Sequence, residues 1–157
     1  ETDFIFIGTM NPGDRATEDL SDVFMDRFDC IQMGYPASAK VEQEIVKMRA
    51  AQLVPVPEAL VGEIVLFIHA LRKNKKLEKV PSVRATLGLV ERAGARAHLE
   101  GKKEADIRDV EAVLVSVLAH RIRLKPSLDY VKSNEGFVRE EFAAFFDQYL
   151  KTKGGGL

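Results

Sequence analysis

The chain holds one cysteine, Cys30, so no disulfide can close within it, and no second Cys and no His stands at metal-ligand spacing from it. Its place in the apolar run Phe28 to Met33 reads as that of a small buried hydrophobe. Long hydrophobic runs are also missing. The longest, Ile64 to Ile68 with Leu60, Val61 and Leu71 beside it, is interrupted by Glu63, His69 and Arg72. That falls far short of the roughly 20 residues a membrane-spanning helix requires. Charge of one sign is not in excess: the net charge of -1 supplies no global field toward nucleic acid or a membrane surface, so any basic patch must act locally. Nowhere does G-x-x-x-x-G-K-[ST] occur, which excludes the loop that wraps backbone N–H groups around phosphates. The first residues, Glu1-Thr2-Asp3, lack the positive start of a signal peptide. With no initiator methionine before an immediate strand pattern, the expectation is a cytoplasmic piece cut from a longer protein.

What is present divides at Pro36. Before it the pattern is α/β. Phe4 to Ile7 is wholly apolar and predicts a strand buried on both faces. Pro12 and Gly13 end it, Leu20, Val23 and Phe24 recur at helical spacing, and Phe28, Ile31 and Met33 predict a second strand. After Pro36 the pattern is helical. Ser38 can cap a helix with Val41, Ile45, Val46 and Met48 on its buried side and Lys40, Glu42, Glu44 and Lys47 outward. Pro57 suits the first turn of the next helix, which buries Leu60, Ile64, Phe67, Ile68 and Leu71 and ends in the basic run Arg72 to Lys76. A third helix follows Pro81-Ser82, buries Val83, Leu87, Val90, Ala93 and Ala97, and stops at Gly101. The fourth starts near Asp106 or Asp109 and runs to Leu124. Four helices with short links predict a bundle. Pro126 to Gly136 reads as a connection, Val138 to Leu150 as a last helix with Phe142, Phe145, Phe146 and Tyr149 on one side, and the closing residues as a frayed tail.

The fold class expected is therefore mostly α with a small α/β remnant. The expected organisation is 1–36 as an α/β edge, 37–125 as a helical domain, and 126–157 as a terminal helix and tail.

Three polar residues are candidates for chemistry. Asn11, at the end of a predicted strand, carries a short amide that can donate and accept; it can hold a water in line with a phosphate, or bond its own backbone in an Asn-Pro turn. Arg27 sits at a helix–strand boundary between Asp26 and Asp29. Its planar, permanent cation can neutralise charge on a transferred phosphoryl group, or form a local surface ion pair. Arg84 lies in the first turn of its helix, where free N–H groups already favour an anion and a cation is mildly unfavourable unless one is near. His69, His98 and His120 fall on three predicted helices without Cys or carboxylate at ligand spacing and read as structural. Ser116 has neither an adjacent base nor the nucleophile-elbow glycines. Glu140-Glu141 and Asp106/Asp109 fit solvated faces and helix N-terminal charge placement. The basic run Arg72 to Lys79 has no interleaved aromatic, so nucleic-acid binding is disfavoured.

The run Phe6-Ile7-Gly8-Thr9-Met10-Asn11-Pro12-Gly13-Asp14, then Met25-Asp26-Arg27-Phe28-Asp29, then Pro81-Ser82-Val83-Arg84-Ala85, resembles in order and spacing the second half of an AAA+ ATPase module of the MoxR type, over roughly residues 3 to 124. The resemblance implies a helical AAA+ lid following the last strands of a P-loop NTPase core. By it Asn11 is a sensor 1 residue facing the terminal phosphate and Arg27 an arginine finger acting in trans, with Arg15 as its substitute. Arg84 is a sensor 2 residue, preceded here by Ser82-Val83 where the family has Pro next to the Arg. It further implies a parent that binds ATP and Mg²⁺ and assembles into a ring, as a hexamer. That parent couples hydrolysis to remodelling or maturation of client protein complexes, often with a von Willebrand A-type partner. Without the P-loop and its acidic Mg²⁺ partner, the chain itself is expected to be inactive in ATP hydrolysis. The competing reading is a non-enzymatic helical module whose aromatic last helix docks a protein.

Overall fold

The structure is a computed structural model that describes residues 3–10 and 20–154, with side chains as far as residue 147. It falls into two compact units, Glu1–Gly34 and Tyr35–Leu157. Among the described residues no helix is long and apolar enough to cross a membrane.

In the first unit the described residues form one short helix, α1 (Asp22–Met25), whose N-cap Ser21 accepts from the Phe24 N–H. Phe28 packs on Phe6 and Phe24, with ring centroids 5.8 and 4.7 Å away. The two predicted strands do not form among the described residues. Phe4, Ile5, Phe6 and Ile7 are 62–90% exposed, and Ile31 and Met33 lie open as well. The physical reason is that a strand is stable only beside a hydrogen-bonded neighbour and against a covering layer. The described part of this unit supplies neither. Cys30, expected to be buried, is exposed for the same reason.

The second unit is helical. Helix α2 (Ala39–Arg49) begins at Ser38, whose side chain accepts from the Val41 N–H. Helix α3 (Glu58–Lys73) starts just after Pro57, which is its cap rather than a first-turn residue, and buries Leu60, Ile64, Phe67, Ile68 and Leu71. Helix α4 (Val83–Leu99) ends on Gly101 at φ +69°, a left-handed position suited to glycine. There Gly101 N–H donates to His98 O and Lys102 N–H to Ala97 O, the paired bonds of a Schellman end. Helix α5 (Ile107–Leu118) opens with a reciprocal capping box between Asp106 and Asp109.

The fourth predicted helix was expected to reach Leu124, but α5 stops at Leu118. Ile122 and Leu124 are buried while Arg123 points outward, a period of two that favours a strand. Arg123–Leu124 accordingly forms β2, which pairs antiparallel with β1 (Leu77–Lys79). A short helix α6 (Pro126–Asp129) occupies the predicted connection, and α7 (Asn134–Gly154) starts earlier than expected.

Helix α7 closes the bundle's own core. Phe137, Val138, Phe142 and Phe146 are all buried in one cluster with α3, α4 and α5 residues such as Phe67, Leu89 and Leu114. Phe67 meets Phe142 edge-on at 5.4 Å and Phe145 at 5.5 Å. An aromatic face used in this way is not free for docking a partner.

Phe142→Ala is expected to cost about 3–5 kcal/mol in urea unfolding, whereas Phe4→Ala, which removes an exposed side chain, should stay within about 0.5 kcal/mol. An unchanged midpoint for Phe142→Ala would show that α7 does not complete the core.

Candidate functional site

Of the predicted site residues, Asn11 and Arg15 lie outside the described residues. Arg27 belongs to the first unit, is exposed, and donates from Nη1 to the carbonyl of Val23 in α1. Among the described residues neither Asp26 nor Asp29 forms an ion pair with it. Arg84 belongs to the second unit.

Arg84 is the second residue of α4 and is exposed; among the described residues it makes no hydrogen bond or ion pair. It lines an open groove of about 600 Å³. Glu78 and Lys79 of β1, Ser82 at the start of α4, and His120 and Arg121 from the turn after α5 line it as well. Tyr35 supplies a flat aromatic face. The lining thus carries Lys79, Arg84 and Arg121 against one carboxylate, Glu78. Arg121 Nη1 donates to Val117 O at 2.5 Å and lies 2.7 Å from His120 Nε2. Burial, then the nearby charges of Arg92 and Arg84, push the Arg121 guanidinium below its ordinary pKa. These cations repel one another, and an anion seated among them would relieve the repulsion.

Behind the groove lies a cluster that sequence reading did not find. Glu42, placed by periodicity on the outer face of α2, is completely buried, while Val41 and Met48, expected inside, are exposed. Its carboxylate receives both arms of Arg72, Nη1 to Oε2 at 2.5 Å and Nη2 to Oε1 at 2.9 Å. Thr86 Oγ1 donates to Oε1 at 2.5 Å, and His69 Nε2 lies 2.9 Å from Oε2. Arg72 uses its remaining Nε–H on Pro81 O at 2.8 Å and lies over the Tyr35 ring at 4.9 Å. Arg72 is therefore taken up inside the unit rather than offered from a basic run to nucleic acid. Burial raises the pKa of Glu42, but the hydrogen bonds from Arg72 and Thr86, the Arg72 charge and the His69 contact together outweigh it, leaving the carboxyl below its ordinary value.

The other sequence candidates are structural. Ser116 Oγ donates to Val113 O at 2.9 Å. Asp109, expected on a solvated face, is buried; it accepts from Lys102 Nζ at 2.9 Å and the Asp106 N–H at 2.8 Å. Among the described residues no group of three or more His, Cys, Asp or Glu gathers to hold a metal ion. The only available signal for the buried cluster was weak. Glu42, Arg72 and Thr86 lie among other polar residues on α2, α3 and α4, and nothing in their spacing joins them.

Glu42→Ala strands Arg72 without its counter-ion and is expected to cost about 3–5 kcal/mol. Because the folded pKa is depressed, the carboxylate's stabilisation is complete above the ordinary value of 4.5 and is lost as pH falls through the lower folded value. Glu42→Gln, which cannot titrate, should flatten that acid-side decline in denaturant midpoints measured from neutral pH downward. An identical slope in both proteins would remove Glu42 as its source.

Residues 76–141 match the family model described as AAA lid domain, a stretch running from β1 through α4, α5, β2 and α6 into α7. No curated protein and no solved structure matches the chain. The match supports an AAA+ ATPase C-terminal lid in this stretch, and such lids belong in general to ATPases that form rings.

Proposed function

We propose that this chain is the C-terminal part of a MoxR-type AAA+ ATPase and that its lid reads the nucleotide phosphates through Arg84. The observation that carries this reading is an exposed arginine in the first turn of α4, without a partner among the described residues, set within the AAA lid match and facing a groove shared with Lys79 and Arg121. A cation at a helix N-terminus is mildly unfavourable, and a phosphate there meets both the arginine and the free N–H groups, so the two costs become one favourable site. Loss of the terminal phosphate removes that anion and changes the lid's angle.

In this reading Asn11 orients the attacking water and Arg27, or Arg15, reaches the nucleotide of the neighbouring subunit in a hexameric ring. ATP is the substrate. Mg²⁺ would be held by a P-loop and its acidic partner, motifs this sequence does not contain. Hydrolysis is coupled to remodelling or maturation of a client protein complex, with a von Willebrand A-type protein as partner. The aromatic face of α7, packed into the bundle, weakens the competing view of a docking module.

The first check is the coding sequence upstream of Glu1, which should encode a P-loop followed by an acidic strand end. In the intact ATPase, Arg84→Ala should lower turnover by on the order of 10²-fold, with Arg84→Lys keeping part of it. Turnover indifferent to both changes would sink the reading.

A further inference from the structure

Arg84 itself has no partner among the described residues, yet a phosphate contact is effective only when the cation is held in place. Ser82, the N-cap of α4, makes no side-chain cap hydrogen bond, so the helix start is not fixed in the usual local way. It is fixed from behind. Pro81 O, three residues before Arg84, accepts from Arg72 Nε, and Thr86 Oγ1, two residues after it, donates to Glu42 Oε1. Both ties run to one bidentate ion pair, Glu42 with Arg72, contributed by α2 and α3. The intervening Ala85 is completely buried, which leaves Arg84 facing outward. The same Arg72 supports the Tyr35 face that lines the groove.

We propose that Glu42 is a positioning residue for anion recognition: through Arg72 and Thr86 it sets the place of the α4 start, and so the reach of Arg84, without touching the anion. This rests on the reading of Arg84 as the phosphate contact. It assigns a role to α2 and α3, which lie outside the lid match.

The test is a double-mutant cycle on the affinity of the intact ATPase for a non-hydrolysable ATP analogue, with folding of each variant checked by circular dichroism at the assay temperature. Glu42→Gln keeps the side-chain volume and removes the charge; Thr86→Val removes one tie and leaves the Arg72 pair intact, so it stays folded if Glu42→Gln does not. Each should weaken binding of the ATP analogue, Glu42→Gln by about 10- to 100-fold, and neither should add to the loss caused by Arg84→Ala. If Arg84→Ala weakens binding while Glu42→Gln and Thr86→Val leave it within about twofold, the positioning role is overturned and the Arg84 reading stands. Losses that add fully in the Arg84→Ala background also overturn it. If Arg84→Ala changes nothing, the phosphate reading fails and takes this inference with it.

Discussion

The arrangement of the helical unit depends on one carboxylate. Glu42 has been taken wholly out of water, a transfer that is affordable only because two guanidinium donors, a threonine hydroxyl and an imidazole replace the lost hydration. Its four ties come from α3 and α4, so α2 cannot slide or rotate on its neighbours without leaving a buried charge unmatched. An apolar contact of the same size would hold the helices together but would tolerate several registers. The charged cluster admits one, and that register places the start of α4.

The cluster also decides which cations it takes up and which it leaves exposed. Arg72 spends all three of its nitrogens, on the carboxylate and on Pro81 O, and its face on Tyr35. Arg84, twelve residues later in the same sequence of basic and apolar residues, is left with none of these partners. Lys79 and Arg121 stand with it around the groove, and the helix N-terminus adds partial positive charge of its own. Burial of one pair and exposure of Arg84 and Lys79 are two sides of the same packing decision.

The lid match begins at Lys76 and ends at Glu141, whereas the core continues on both sides of it. Val46 of α2, the buried face of α3, and Phe142 and Phe146 of α7 all enter the same hydrophobic cluster. The groove residues Glu78, Lys79, Arg84 and Arg121 fall inside the matched stretch, whereas Tyr35 lies outside it. Part of what holds them lies outside it, in α2, α3 and the later part of α7.

The sequence by itself determined the local elements of the helical unit. Ser38, Gly101 and the Asp106/Asp109 pair act through bonds to residues within a few positions, so their capping role is legible without knowing the fold. It also determined that Arg84 falls in a first helical turn, and that most apolar residues of α3, α4 and α5 face inward. Only the tertiary structure decided that Glu42 is buried, that α5 yields to a strand paired with residues 77–79, and that the aromatic face of α7 is internal. It decided as well that Phe4 to Ile7, strand-like in composition, stays open. The physical reason is common to all of these. Caps and periodicity are settled by neighbours a turn away, while the burial of a charge or the pairing of a strand is settled by groups dozens of residues distant, whose approach no local pattern encodes.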